Sequence, residues 1–282
     1  MNSGQPIQAA DEKYDWDWTS QRSGWVPPAL DTGRPSAARI YDYLLGGKDN
    51  FAVDRQAAAR FEAAVPDLRR GVRANRSFLE RAVDTMAGEY GIDQFIDFGT
   101  GLPYTPNVHE VARRRQPHSR IVYIDHDPVV VAHGRALLAG EPGVVMLAND
   151  LREPSVLLDD LETGGWIDFS RPVGLLFVGV LHFVPLDHAP GVLARYRCAV
   201  PPGSCLAISA ACRTGSDPRL VALAEAMYAG SGTDLYFRTS AQVGELFEGF
   251  TPVEPGLTDV TQWRTPSGGP LRVRALAGLA VR

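Results

Sequence analysis

The residues of this 282-residue chain that could do chemistry fall into a few short groups: Asp97, Gly99, Thr100 and Gly101; Asp125 with His126 beside it; Asn149 with Asp150; and, further on, His182. Glycines one residue apart permit backbone dihedrals and a closeness of ligand approach that a side chain would block. A carboxylate such as Asp125, ending an apolar run, stands where dinucleotide folds place the acceptor of ribose hydroxyl protons. The Asn149-Asp150 pair can accept from an exocyclic adenine amine while backbone amides address the ring nitrogens. Together these groups call for an adenosine-bearing ligand.

Which adenosine ligand it is turns on phosphate. A dinucleotide fingerprint needs glycine at its first, third and sixth positions, and counting from Gly99 gives Gly101 and then Tyr104, preceded by Pro103. Asp97, two residues before the first glycine, would repel a pyrophosphate but suits a ligand that carries an ammonium and a sulfonium. The turn favours S-adenosylmethionine over a nicotinamide dinucleotide. Methyl transfer from a sulfonium is an in-line displacement that chiefly needs a well-placed nucleophile, with a base only where the acceptor is protonated. His182 is the candidate base, with substrate orientation or plain structure as its alternative roles. Tyr43 is the second catalytic candidate, and Tyr41, Tyr43 and Lys48 are placed to cover the pocket, though helix packing explains the tyrosines equally well. Asn75 falls on an apolar helical stripe between Val72 and Leu79, where an unpaired buried amide would cost about 1–3 kcal/mol. Its partner is a cofactor or substrate, which puts it among the cofactor-binding candidates, or a neighbouring backbone carbonyl.

The elements that must position these groups alternate between strand-like and helix-like segments, as a parallel sheet with crossover helices does. Strands are expected at residues 94–98, 120–125, 143–147, 173–179 and 204–211, with two last strands at 252–257 and 271–281 joined by a Pro/Gly-rich hairpin near 265–270. Helices are expected at 106–116, 128–139, 154–161, 187–200, 217–230 and 239–247, leaving 231–238 as a connection over the pocket. Three helices precede the first strand, at 35–45, 54–65 and 66–91. The domain reading is an irregular tail over residues 1–33, a helical pocket cover over 34–91 and a ligand-binding α/β domain over 92–282. Trp16, Trp18 and Trp25 in the tail suggest docking on the domain, since solvated tails seldom keep such residues.

Composition narrows the class. Hydrophobic residues make up 45% and charged residues 22% of the chain, enough for a real core. A net charge of −5 gives no footprint for nucleic acid. Arg69, Arg70, Arg73 and Arg76 are spread over more than one side of their helix and read as a solvated face rather than an anion site. Cys198, Cys205 and Cys212 lack the paired close spacing of metal or redox motifs and read as buried thiols, so no metal is expected. No secretory signal or bilayer-length apolar run is visible, which points to a cytoplasmic protein with no membrane partner; the substrate is expected to be a small molecule.

Four motifs carry a family resemblance: ARIYDYLLGGKDNF at residues 38–51, GTGLP at 99–103, NVHEVA at 107–112 and YIDHDP at 123–128. With them the chain resembles the actinobacterial S-adenosyl methyltransferase family, long catalogued as a domain of unknown function within the class I S-adenosylmethionine-dependent methyltransferases. The likeness runs from about residue 35 to the C-terminus. It implies a Rossmann-like sheet of seven strands, mostly parallel with an antiparallel last strand, and a helical extension before it. It further implies that Asp97, Gly99, Thr100 and Gly101 surround the methionine part of the cofactor, that Asp125 holds the ribose and that Asn149 and Asp150 face the adenine. The acceptor is not implied. A sensor of S-adenosylmethionine or S-adenosylhomocysteine without transferase activity is the alternative, and a nicotinamide oxidoreductase is disfavoured by Tyr104 and Asp97.

Overall fold

A computed structural model of the chain describes residues 31–138, 140–229, 233–265 and 268–282. The tail residues 1–30, with the expected docking of their tryptophans, lie outside the described residues, and Asp31–Arg282 forms one compact unit.

Among the described residues the chain begins with three helices, α1 (Ala37–Leu45), α2 (Ala52–Ala64) and α3 (Leu68–Glu89), and then alternates. It continues as β1 (Gln94–Phe98), α4 (Val108–Arg113), β2 (Arg120–Asp125), α5 (Pro128–Leu137), β3 (Val144–Ala148), α6 (Pro154–Thr163) and β4 (Gly174–Val178). A one-turn 3-10 helix at Leu181–Phe183 leads to α7 (Ala189–Ala199), β5 (Cys205–Cys212), α8 (Pro218–Ala229), α9 (Ser240–Glu245), β6 (Thr251–Pro252), β7 (Thr258–Asp259) and β8 (Arg274–Val281). No helix among the described residues is long and apolar enough to cross a membrane.

The eight strands form one sheet in the order β3-β2-β1-β4-β5-β8-β6, with β7 paired to β8 off that path. β1 to β5 run parallel, and β8 enters antiparallel between β5 and β6. The seven-strand path with its antiparallel insertion is the expected one. The segment expected as a single strand over 252–257 is instead broken into two-residue pieces on either side of a turn, in which Gly256 adopts φ +79°.

Period-two alternation assigns side chains to the two faces of the sheet. Ile96, Phe98, Val122 and Ile124 pack with α6, α7 and α9, where Phe98 and Phe177 stack with ring centroids 4.1 Å apart. Phe95, Ile121, Tyr123 and Leu176 pack against α3, α4 and α5, together with fully buried Trp263. The same parity turns Asp97 and Asp125 toward the α3 side. Strand order reverses between β1 and β4, which is where open α/β sheets bind ligands. Tight packing at that point is local: an added Cβ on Gly99 would lie 2.3 Å from Val180 Cγ2.

Helix ends explain smaller differences from expectation. Asp127 caps α5, its Oδ1 accepting from Val129 N at 2.8 Å, with Pro128 in the first turn as the sequence suggests. α4 starts at Val108 rather than at residue 106, because Arg76 takes the carbonyls of Tyr104 and Pro106 and Glu110 accepts from Asn107 N at 2.5 Å. Cys205 and Cys212 are buried, and burial pushes the Cys205 thiol up to about 12. Cys198, expected buried, is exposed on α7.

Candidate functional site

The site is built from the exits of β1, β2, β3 and β4. At the exit of β1, Gly99 and Gly101 adopt φ +64° and +68°, a region costly for other L-residues. Thr100 N donates to Ile124 O at 3.1 Å, which pins the turn to β2. Asp97, beneath the turn, accepts from Thr100 Oγ1 at 2.8 Å and is 4% exposed. Burial pushes its carboxyl up to about 6, against the Thr100 hydrogen bond and the charge of Arg76, with Asp125 adding to the rise.

Asp125 closes the turn from the other side. Its Oδ2 accepts from Gly101 N at 3.0 Å and its Oδ1 from Asp127 N at 2.9 Å. Burial raises its pKa despite these two donors. His126 is largely exposed, with Nδ1 3.7 Å from Asp125 Oδ1. From β3, Asn149 N donates to Asp125 O at 3.1 Å, so the three strand exits are joined by hydrogen bonds. The Asn149 amide donates to Asp160 at 2.7 Å, and Asp150 is paired with Arg152 at 2.5 Å. Burial pushes the Asp150 carboxyl up, but the Arg152 hydrogen bonds outweigh it and hold the group below its usual range.

The structure brings Asp97, Gly99, Thr100, Gly101, Asp125 and Asn149 together at the strand exits, with hydrogen bonds from Thr100 to Asp97 and from Gly101 and Asn149 to Asp125, and with Asp150 and His126 beside them. It fits a cationic, hydroxyl-bearing ligand on two observations. Two buried carboxylates of raised pKa flank the turn, and a Cβ added to Gly101 would meet no atom within 4 Å.

Asn75 lies beside the exit of β4 and against Ser209 of β5. Its Oδ1 accepts from Ser209 Oγ at 2.5 Å and its Nδ2 donates to Tyr41 OH at 2.9 Å. Tyr41 in turn donates to Val72 O at 3.1 Å. Side chains from β5 and α1, rather than a backbone carbonyl, therefore satisfy the buried amide. An added Cβ on Gly179 would lie 3.0 Å from Asn75 Nδ2, so glycine at the β4 exit lets the amide approach.

His182 lies in the one-turn helix after β4, half-buried, its ring 4.4 Å from that of Phe183. Burial and the charge of Arg238 pull its pKa down to about 4, so the imidazole is neutral at neutral pH. Its Nδ1 is enclosed and has no hydrogen-bond partner among the described residues. Tyr43 packs in the α1–α2 cluster, with the Arg69 guanidinium 4.9 Å from its ring centroid, and Lys48 is exposed in the turn after α1.

Of the four arginines of α3 expected to form a solvated face, Arg70 and Arg73 are exposed while Arg69 and Arg76 are partly buried. Arg69 pairs with Glu62, Arg70 reaches the carbonyls of Gly269 and Pro270, and Arg73 is exposed. Arg76 differs: it enters the motif region, holds the loop after Gly101 through Tyr104 O at 2.7 Å and acts electrostatically on Asp97. Arg238, 1% exposed, donates to Leu181 O at 2.6 Å and Val184 O at 2.9 Å and so fixes the backbone that carries His182. Sequence reasoning passed over both roles. The only hint was the position of Arg76 next to Asn75.

A family model described as S-adenosyl methyltransferase matches residues 23–281. A solved Thermobifida fusca protein assigned to the methyltransferases is 38% identical, the match covering 92% of this chain and 99% of that one, with a TM-score of 0.84. A DUF574-family protein of Streptomyces avermitilis is 36% identical over 89% of this chain and 99% of its own, also with a TM-score of 0.84. No curated protein matches the chain. On the family match across nearly its whole length, the chain belongs to the S-adenosyl methyltransferase family and is an S-adenosylmethionine-dependent methyltransferase.

Proposed function

We propose that the protein transfers a methyl group from S-adenosylmethionine to a small-molecule acceptor, with the cofactor lying over Gly99 to Gly101 and the acceptor meeting it from the side of His182 and the α1 cover. The observation that carries this reading is the pair of buried carboxylates, Asp97 and Asp125, hydrogen-bonded to adjacent residues of one glycine turn, Thr100 and Gly101. S-adenosylmethionine supplies an electrophilic methyl on a sulfonium, and the chain's part is to bind, orient and exclude water. Asp125 accepts from the ribose hydroxyls, Asp97 meets the ammonium, and Asn149 and Asp150 border the adenine. His182, neutral at neutral pH, orients the acceptor. Asn75 ties the cover to β5 at the acceptor side. The domain reading retains residues 34–91 as the cover and 92–282 as the cofactor-binding domain.

The test is to incubate the protein with methyl-tritiated S-adenosylmethionine and either the dialysable or the macromolecular fraction of a bacterial extract. A new labelled product in the dialysable fraction, separated chromatographically from unreacted S-adenosylmethionine, is expected. Label confined to protein or nucleic acid would overturn the small-molecule reading, and binding without transfer to any fraction would favour a sensor.

The raised pKa of Asp97 gives a second expected result. Because its folded value lies above that of the unfolded chain, the native state binds more protons between about pH 4 and pH 6, so stability falls as pH rises through that window. Asp97→Asn removes the buried charge. Unliganded D97N should therefore melt higher than the wild type at pH 7, with the difference gone below about pH 4. The same variant should lose S-adenosylmethionine binding, and wild-type affinity should weaken as pH falls through about 6. Wild-type affinity in D97N, measured by calorimetric titration, would remove Asp97 from the cofactor site.

A further inference from the structure

Ser36, just before α1, is two hydrogen bonds from one of the residues placed around the cofactor. Its hydroxyl donates to Asp127 Oδ2 at 2.7 Å, across 91 positions of sequence. Asp127 Oδ1 caps α5, and Asp127 N donates to Asp125 Oδ1 at 2.9 Å. One carboxylate oxygen of Asp127 therefore serves α5 and the other the cover, while its backbone fixes the acid assigned to the ribose.

The cover end of this link is rigid. Ser36 N donates to Asp54 Oδ1 at 3.0 Å, and Asp54 Oδ2 pairs with Arg39 Nε at 2.8 Å, the two side chains being 0% and 2% exposed. Arg39 also donates to Arg34 O at 2.5 Å. A buried pair with its remaining hydrogen bonds made is costly to break, so α1 and the start of α2 move together or not at all. A second polar contact from cover to α5, His133 Nε2 to Asp49 Oδ1 at 3.8 Å, joins two partly exposed groups and adds little.

We propose that Ser36 is a positioning residue for the cofactor: through Asp127 it holds Asp125 ready to accept the ribose hydroxyls, and cofactor held by Asp125 in turn holds the α1 cover down. The inference rests on the assignment of Asp125 to the ribose. Asp127 adds negative charge beside Asp125, and the Ser36 hydroxyl draws off part of that charge while fixing the Asp127 rotamer. Coupling of this kind is reciprocal, so cover docking and cofactor affinity must change together.

The experiment titrates S-adenosylhomocysteine into the wild type, S36A, S36T, D125A and S36A/D125A, at a temperature well below every melting transition. S36A should bind about five- to tenfold more weakly, the effect of one hydrogen bond, and S36T should restore most of the loss. S36A/D125A should be no weaker than D125A, since Ser36 acts through Asp125. In the wild type, S-adenosylhomocysteine should slow amide hydrogen exchange in α1, a readout that needs no variant to fold. A merely structural Ser36 would lower the melting temperature and leave affinity alone. Wild-type affinity in S36A beside a weakened D125A, or α1 exchange indifferent to ligand, would overturn the proposal. Wild-type affinity in D125A would remove the ribose assignment and the proposal with it.

Discussion

Asp125→Ala is expected to weaken S-adenosylhomocysteine binding by about ten- to a hundredfold, the loss of charge-assisted hydrogen bonds to ribose hydroxyls. The carboxylate ends β2 on the α3 side of the sheet, 6% exposed, held by backbone N–H groups of Gly101 and Asp127. Those donors fix its orientation before ligand arrives, so little ordering remains to oppose binding. Its removal leaves two amides to be met by water but also removes a buried negative charge whose pKa is already raised by burial. These effects oppose one another, and the unliganded variant should keep a cooperative melt within a few degrees of the wild type. Calorimetric titration beside the unliganded melting curve separates the two quantities. Undiminished affinity in a folded D125A would show that the ribose is held elsewhere.

The two motif glycines should respond to alanine in opposite ways. At Gly99, φ is +64° and a Cβ would lie 2.3 Å from Val180 Cγ2, so Gly99→Ala combines left-handed strain with overpacking at the β1–β4 switch. A loss of about 2–5 kcal/mol in unfolding free energy is expected from the two together. At Gly101, φ is +68° but no atom lies within 4 Å of the added Cβ. Gly101→Ala should therefore cost only about 1–2 kcal/mol of stability. Its methyl would enter the space assigned to the cofactor, so S-adenosylhomocysteine affinity should fall at least about tenfold. Urea unfolding and titration of both variants test the contrast. A stable G99A, or a G101A that binds as well as the wild type, would show that the roles assigned to the two glycines are wrong.

What could be read from the sequence was whatever depends on neighbours along the chain. The apolar run of β1 ends at Phe98 as its residue types suggest, Pro128 follows a capping Asp127, and Gly46 takes φ +94° to close α1. Parallel order followed from alternation and from the resemblance, which also gave the antiparallel β8. The residues that fix the site from a distance were hidden, since nothing in a one-dimensional pattern links Ser36 to Asp127 or Arg238 to Leu181. Asn75 shows the boundary well. Its helical stripe announced a buried amide in need of a partner, but the partners, Ser209 and Tyr41, come from β5 and α1 and exist only once the sheet and cover are assembled. The tail end of the sheet was misjudged for a related reason. β6 and β7 each contribute only two residues, and a strand that short is decided by the edge it meets rather than by its own composition.

The most direct test of the whole account is a crystal structure of the complex with S-adenosylhomocysteine. Both ribose hydroxyls are expected on Asp125, with the amino group against Asp97, the backbone of Gly101 beneath the ligand, and the adenine beside Asn149 and Asp150. A nucleoside seated away from the β1 and β2 exits, or ribose hydroxyls with no contact to Asp125, would contradict it.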